Sequence, residues 1–211
     1  MYLPKHFEEN RTDVLHEMMR AHPLGALVTL DAQGLNANHI PFEIDPGSGP
    51  FGTLRAHVAR SNPLWCDVSA ERDALVIFQG ARSYISPSLY ATKEAGGKVV
   101  PTYNFMVAHA YGRFKVIDDP AWIRAHLERL TESLEAGRAR PWKVEDAPDD
   151  YIEKLLAAVV GIEIPVSRLI GKWKVSQNQP RENRISVEQG LRAAGDPDSV
   201  AIADAVARAS R

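Results

Sequence analysis

The sequence of 211 residues is poor in cysteine and has no long apolar run. Its one cysteine, Cys66, excludes an intrachain disulfide and fits a reducing compartment, and we expect that side chain to be buried. No apolar stretch has the length of a signal peptide or of a membrane-spanning helix. These absences predict a cytoplasmic protein that does not enter a membrane.

Motifs of two common kinds of catalytic site are also missing. No Gly-x-Ser-x-Gly elbow is present, which argues against covalent hydrolase chemistry. The seven histidines form no His-x-x-x-His or Glu-x-x-His pattern, so we expect no metal site. No catalytic residue can be assigned from the sequence, although His57 and Tyr103 are the side chains closest to fitting a proton donor.

Excess positive charge is lacking as well. The formal net charge is -2, so the chain as a whole has no electrostatic attraction to nucleic acid. The most basic stretch, residues 181–192, has three arginines beside two glutamates, which is typical of a solvated helix face. No helix-turn-helix with a basic recognition helix is evident.

What the sequence does contain is a series of short apolar strands separated by turns. Strands are predicted over 24–30, 35–44, 51–58, 74–78, 99–116 and 162–170, and helices over 12–22, 63–68, 120–135 and 149–160. Because no helix separates the first three strands, an antiparallel barrel is favoured over a doubly wound parallel sheet, and a Rossmann site is not expected. The prediction is an α+β, mainly β fold, with a barrel domain over 1–180, inserted helices over about 119–160 and a helical tail over 181–211.

A first candidate binding segment, residues 57–63, lies where a strand ends and a helix begins. Backbone N–H groups at a helix start, the guanidinium of Arg60 and the hydroxyl of Ser61 together suit a phosphate. The alternative is an ordinary turn capped by Asn62, with Arg60 in solvent.

Two further segments combine aromatic, hydroxyl and amide side chains. Residues 80–90 and 98–104, predicted mainly as loop, include Thr102, Tyr103 and Asn104, which suit a planar ligand with polar edges. The segment 171–178 places Lys172 near Gln177 and Asn178, which suits a phosphate or a flavin edge. The alternatives are a loop that packs its own tyrosines and a surface strand whose lysines extend to solvent.

Taken in order, six segments resemble the PaiB-like family of negative transcriptional regulators. They are 1–7, 38–42, 57–63, 84–88, 99–104 and 170–178, and the resemblance covers about residues 1–185. It implies a split β-barrel that binds FMN in a groove shared by two subunits of a homodimer. By this resemblance His57, Arg60, Ser61 and Asn62 hold the FMN phosphate, with Asn62 replacing a lysine found in related oxidases. Lys98, Lys172 or Lys174 would then supply the missing charge.

Three functions follow from this resemblance and the residues together. The first is an FMN-binding protein with a regulatory role. The second is a flavin-dependent oxidoreductase that acts on a small molecule, in which the flavin performs the chemistry. The third is a repressor that contacts DNA directly.

Overall fold

The computed structural model describes residues 1–67 and 73–210, and these form a mainly antiparallel sheet with several helices. The strands in these ranges are β1 Glu8–Glu9, β2 Leu24–Asp31, β3 Gly34–Pro41, β4 Glu43–Asp45, β5 Thr53–Ala59, β6 Asp73–Ile85, β7 Thr102–Arg113, β8 Lys115–Ile117 and β9 Val159–Lys174. The helices are α1 Thr12–Ala21, α2 Leu64–Asp67, α3 Lys93–Gly96, α4 Pro120–Glu135, α5 Asp149–Ala157, α6 Arg181–Ala194 and α7 Pro197–Ala209.

Strand pairing follows a simple antiparallel pattern. The hairpin β2–β3 pairs Leu24 with Pro41 and closes with Asp31 opposite Gly34. The order of the main path is β3-β2-β6-β7-β9-β5-β4, and β1 and β8 each pair with β9 as well. This arrangement confirms the predicted α+β, mainly β fold.

Two strands are longer than predicted. Strand β6 extends to Ile85 and β9 begins at Val159 and ends at Lys174, so segments predicted as loop are partly strand. The β6 extension, residues 79–85, mixes buried and exposed positions, and neither it nor the end of β9, residues 171–174, has the continuous apolar run that was used to locate strands. The predicted helix over 63–68 is found as α2, and Val68 lies outside the described residues.

The chain divides into two compact units. Unit 1 contains Met1–Arg11, Gln79–Ala108 and Ile170–Arg211. Its apolar core combines strand residues such as Ile85 and Met106 with Val187 of α6 and Ile202 of α7, and the last two are fully buried. The C-terminal helices therefore contribute to the core of this unit, because their apolar faces are buried against its strands.

Unit 2 contains Thr12–Phe78 and His109–Leu169. Strands β5 and β9 pair from Thr53 opposite Pro165 to Ala59 opposite Val159. Trp122 of α4 lies against Gly161 so closely that a Cβ at this glycine would be 2.4 Å from the indole ring. Glycine at position 161 thus permits α4 to pack directly on the sheet.

Among the helices in the described ranges, none is both long and apolar enough to span a lipid bilayer. Cys66 is exposed, which contradicts the expectation that it is buried. The helix that carries Cys66 is only four residues long, so one of its faces can stay in solvent without loss of core packing.

Candidate functional site

A cleft of about 170 Å³ with polar and apolar lining residues lies in unit 1 where β7 begins and β9 ends. It is lined by Tyr90, Val100, Pro101, Thr102, Asn104, Lys174, Ser176, Asn178 and Gln179. Three of the predicted cofactor residues, Thr102, Asn104 and Asn178, are therefore brought together. We refer to this feature as the unit 1 cleft.

Of the described residues that line the unit 1 cleft, Lys174 alone is cationic. Its ammonium donates a hydrogen bond to the hydroxyl of Thr102, so the last residue of β9 is tied to the first residue of β7. Burial, together with the neighbouring charge of Lys172, lowers the pKa of Lys174. A partly desolvated ammonium interacts more strongly with ligand oxygens than a lysine in open solvent does.

Asn104 and Ser176 form a buried pair in the same cleft. Asn104 is 1% exposed and Ser176 is 3% exposed, and Asn104 Nδ2 donates to Ser176 Oγ at 2.9 Å. Ser176 has a φ of 65°, and no other non-glycine residue in the described ranges has a positive φ. A serine in this left-handed region is strained, and such strain persists where the surrounding structure holds the residue in place.

The other predicted residues of this region take different positions. Gln177 is engaged within its own turn, where Oε1 accepts from the Val175 amide at 2.8 Å and Nε2 donates to the Trp173 carbonyl at 2.5 Å. Lys172 donates to the Tyr2 carbonyl at 2.9 Å. Tyr103 is 56% exposed and contacts Tyr84 edge to face, with ring centroids 5.6 Å apart.

The segment 57–63 lies in unit 2, and its side chains already have partners within the chain. Arg60 donates to both carboxylate oxygens of Asp118, at 3.0 and 2.6 Å, and to the carbonyls of Ala157 and Val159. The hydrogen bond to Asp118 raises the pKa of Arg60. Asn62 caps α2 by accepting from the Leu64 amide at 3.0 Å, and Ser61 is exposed.

His57 belongs to a separate buried network under α4. Its Nδ1 lies 3.2 Å from Nε2 of His126, whose Nδ1 lies 3.0 Å from a carboxylate oxygen of Glu43. Burial, together with the nearby His126, lowers the pKa of His57 to about 4. Burial alone would raise the pKa of Glu43, but hydrogen bonds from His126 and Arg129 outweigh that effect and lower it.

Sequence reasoning missed Ser176 and Tyr90 and named Lys174 only as a substitute charge. The available signal for Ser176 was its place between Lys174 and Asn178 in the segment 171–178. Its left-handed backbone gave no signal, because serine is not a residue typical of that conformation.

The chemistry of the unit 1 cleft fits FMN. A flavin mononucleotide offers ring carbonyls, a ring N–H, ribityl hydroxyls and a phosphate. The cleft offers an ammonium, hydroxyls and amides that can donate to or accept from such groups, and Val100 and Pro101 supply apolar surface. Thr102, Asn104, Lys174 and Asn178 are the residues of this cleft that could hold part of this cofactor.

The mainly antiparallel sheet with peripheral helices, and the donors and acceptors of the cleft, are those expected of a flavin-binding split barrel. A family model described as "Putative FMN-binding domain" matches residues 1–168, and the chain belongs to this family. The protein thus has an FMN-binding domain, as the sequence predicted.

Named relatives extend the comparison over nearly the full chain. An uncharacterized protein of Emericella nidulans is 33% identical, with 98% of this chain and 96% of that protein covered. The Bacillus subtilis "Protease synthase and sporulation protein PAI 2" is 26% identical, with 97% and 95% covered. The FAD and heme binding protein of Mycobacterium smegmatis shares the fold, with a TM-score of 0.56, 18% identity, and 79% of this chain and 73% of that one covered.

Proposed function

We propose that this protein is an FMN-binding homodimer with a regulatory role, and that it contacts its cofactor through the unit 1 cleft. The observation that carries the proposal is the partly buried Lys174 ammonium among the hydroxyl and amide groups of Thr102, Asn104 and Asn178. The regulatory role is supported by the likeness to the Bacillus protein, whose name refers to protease synthesis and sporulation.

The cleft is a better candidate than the segment 57–63 for a contact to FMN. Anion recognition by arginine depends on guanidinium donors that are free to reach the ligand. Arg60 directs its donors to Asp118, Ala157 and Val159, so a phosphate would have to replace an ion pair that is already formed. The phosphate contact of His57, Arg60, Ser61 and Asn62 that the sequence predicts is the competing hypothesis, and the following experiment tests it.

FMN titration followed by quenching of flavin fluorescence separates the two sites. We expect Lys174→Ala to weaken FMN binding by about tenfold or more, because a charge-assisted hydrogen bond is lost. Arg60→Ala should leave the affinity close to that of the wild type. Lys154→Ala is the matched control, since Lys154 lies in α5 and its side chain is 77% exposed. An unchanged affinity in Lys174→Ala, with a loss in Arg60→Ala, would move the cofactor to the segment 57–63.

The regulatory role needs a readout in cells. We expect deletion of the gene in its host to change transcript levels, with restoration by the wild type but not by Lys174→Ala. If transcripts are unchanged while purified protein oxidises NAD(P)H over many turnovers, the oxidoreductase alternative replaces the regulatory one. Binding to a promoter fragment with a steep dependence on salt would favour direct contact with DNA.

A further inference from the structure

Asn104 lines the unit 1 cleft, and its side-chain acceptor has no partner among the described residues. Asn104 lines the cleft and uses Nδ2 for Ser176, whereas Oδ1 accepts no hydrogen bond from any residue in the described ranges. Oδ1 is not among the fully buried side-chain atoms that lack a partner in those ranges, so it keeps some accessible surface, and the cleft is the open space that Asn104 lines. A ligand in the cleft therefore meets an acceptor at Asn104.

This acceptor determines which part of FMN fits. A phosphate has only acceptor oxygens at its surface, and the lone pairs of Asn104 Oδ1 would repel it. The pyrimidine edge of the isoalloxazine instead presents a carbonyl, the N3–H donor and a second carbonyl in sequence. Asn104 Oδ1 matches the N3–H, and the donors of Lys174 and Thr102 match carbonyl oxygens.

The size of the cleft agrees with this part of the cofactor. Its volume of about 170 Å³ is below the range of about 300–1,000 Å³ that encloses a complete ligand of this kind. Val100 and Pro101 supply apolar contact suited to the plane of a ring. The cleft is thus sized for one edge of a flavin and not for the whole molecule.

Ser176 sets the orientation of Asn104. Its hydroxyl accepts from Asn104 Nδ2, which fixes the amide and leaves Oδ1 available to a ligand. The φ of 65° at Ser176 is strained for a residue with a Cβ, and Gln177 braces the same turn through Val175 and Trp173. Strain that is maintained next to a binding cleft is typical of residues that hold a functional geometry.

We propose that the unit 1 cleft reads the pyrimidine edge of the flavin, with Asn104 Oδ1 as the acceptor for N3–H and Ser176 as the residue that positions Asn104. This inference rests on the proposed function, since it concerns the same cleft and the same cofactor. It assigns a specificity to the cleft: a flavin with a free N3–H is selected, and the phosphate is not read there.

The experiment compares the affinities of FMN, riboflavin and N3-methyl FMN for the full-length protein. We expect the wild type to bind FMN about tenfold or more tightly than N3-methyl FMN, because the methyl group removes the donor and leaves Asn104 Oδ1 unpaired. In Asn104→Leu this discrimination should disappear. Lys174→Ala should weaken FMN and riboflavin by the same factor, because the cleft contacts the ring.

Variants of Ser176 separate positioning from folding. Ser176→Ala keeps the strained backbone but removes the acceptor, and we expect reduced discrimination between FMN and N3-methyl FMN. Ser176→Gly relieves the backbone strain, so the melting temperature of this variant should not fall. Its discrimination between FMN and N3-methyl FMN should still be reduced, because the hydroxyl is missing. Ser88→Ala, at an exposed serine, is the matched control and should behave as the wild type.

The outcomes distinguish this inference from the proposed function. If the wild type binds FMN and N3-methyl FMN equally while Lys174→Ala still weakens both, the cleft binds FMN but the pyrimidine edge is not read by Asn104. If Lys174→Ala binds FMN as tightly as the wild type, the proposed function itself fails. If Ser176→Ala still discriminates between FMN and N3-methyl FMN as the wild type does, Ser176 is not the residue that positions Asn104.

Discussion

At the scale of single residues, His57 has a side-chain partner that the sequence did not reveal. Its position at the end of β5 suggested a phosphate contact, yet its ring faces His126, which is fully buried, and Trp122 stacks on the ring of His126. The partner lies 69 positions away in the sequence, so no local pattern connects the two. The resulting network lies between the sheet and α4 in unit 2.

The lowered pKa of His57 predicts a loss of stability in mild acid. In the folded chain the pKa is about 4, whereas the ordinary value is 6.5. Between these values the unfolded chain binds the proton and the folded chain does not, so the free energy of unfolding falls as the pH decreases from 6.5 to 4. The shift corresponds to about 3 kcal/mol, and we expect roughly 2 kcal/mol because the ring is partly exposed.

Urea unfolding at a series of pH values tests this expectation. His57→Gln should remove most of the decrease between pH 6.5 and 4, since glutamine does not titrate. His39→Gln, at an exposed histidine in β3, is the control and should retain the decrease. The same slope in His57→Gln as in the wild type would assign the acid sensitivity to other groups.

At the scale of elements, local signals identified most helices and strands. Helix α4 begins at Pro120, as predicted, and follows Asp119, whose carboxylate accepts from the Ala121 amide at 2.9 Å, a typical helix start. Thr102 and Asn104 lie in β7, within the strand predicted over 99–116, whereas the part of 98–104 that was expected as loop is confined to the residues before Thr102.

The candidate site could be predicted only in part, because the tertiary partners of its residues are not visible in the sequence. Thr102, Asn104 and Asn178 were identified by residue type, and they do line one cleft. The ion pair of Arg60 with Asp118 depends on tertiary contacts that no spacing reveals. Residue chemistry is thus visible in the sequence, whereas the partner that already satisfies it is not.

The C-terminal helices give a second prediction, because their apolar side chains complete the core of unit 1. Ile202 of α7 is fully buried in this core, and Ile185 of α6 is 44% exposed. Ile202→Ala should lower the free energy of unfolding by roughly 3 kcal/mol, because it creates a cavity, while Ile185→Ala should change it by less than about 1 kcal/mol. Similar losses in the two variants, measured by urea unfolding, would show that α7 contributes no specific packing.

At the scale of the whole molecule, the proposed homodimer requires a surface that can be covered. Unit 1 exposes several aromatic side chains: Tyr2 is 84% exposed, Tyr84 is 51% exposed and Tyr103 is 56% exposed. Phe105 lies under the ammonium of Lys172, 5.5 Å from the ring centroid. Aromatic groups are enriched where proteins associate, and the net charge of -2 opposes association only weakly.

The dimer prediction therefore concerns this aromatic patch of Tyr2, Tyr84, Tyr103 and Phe105. Light scattering on the FMN-loaded protein should give twice the mass of the chain, and Tyr84→Glu should give the monomer mass, because a buried unpaired carboxylate is costly. Tyr151→Glu is the control, since Tyr151 is 54% exposed on α5 of unit 2 and should leave the dimer intact. A monomeric wild type would contradict the proposed homodimer. A dimeric Tyr84→Glu variant would show that the interface does not include this patch. Because Tyr84 does not line the unit 1 cleft, FMN affinity measured on the same samples shows whether association also serves cofactor binding.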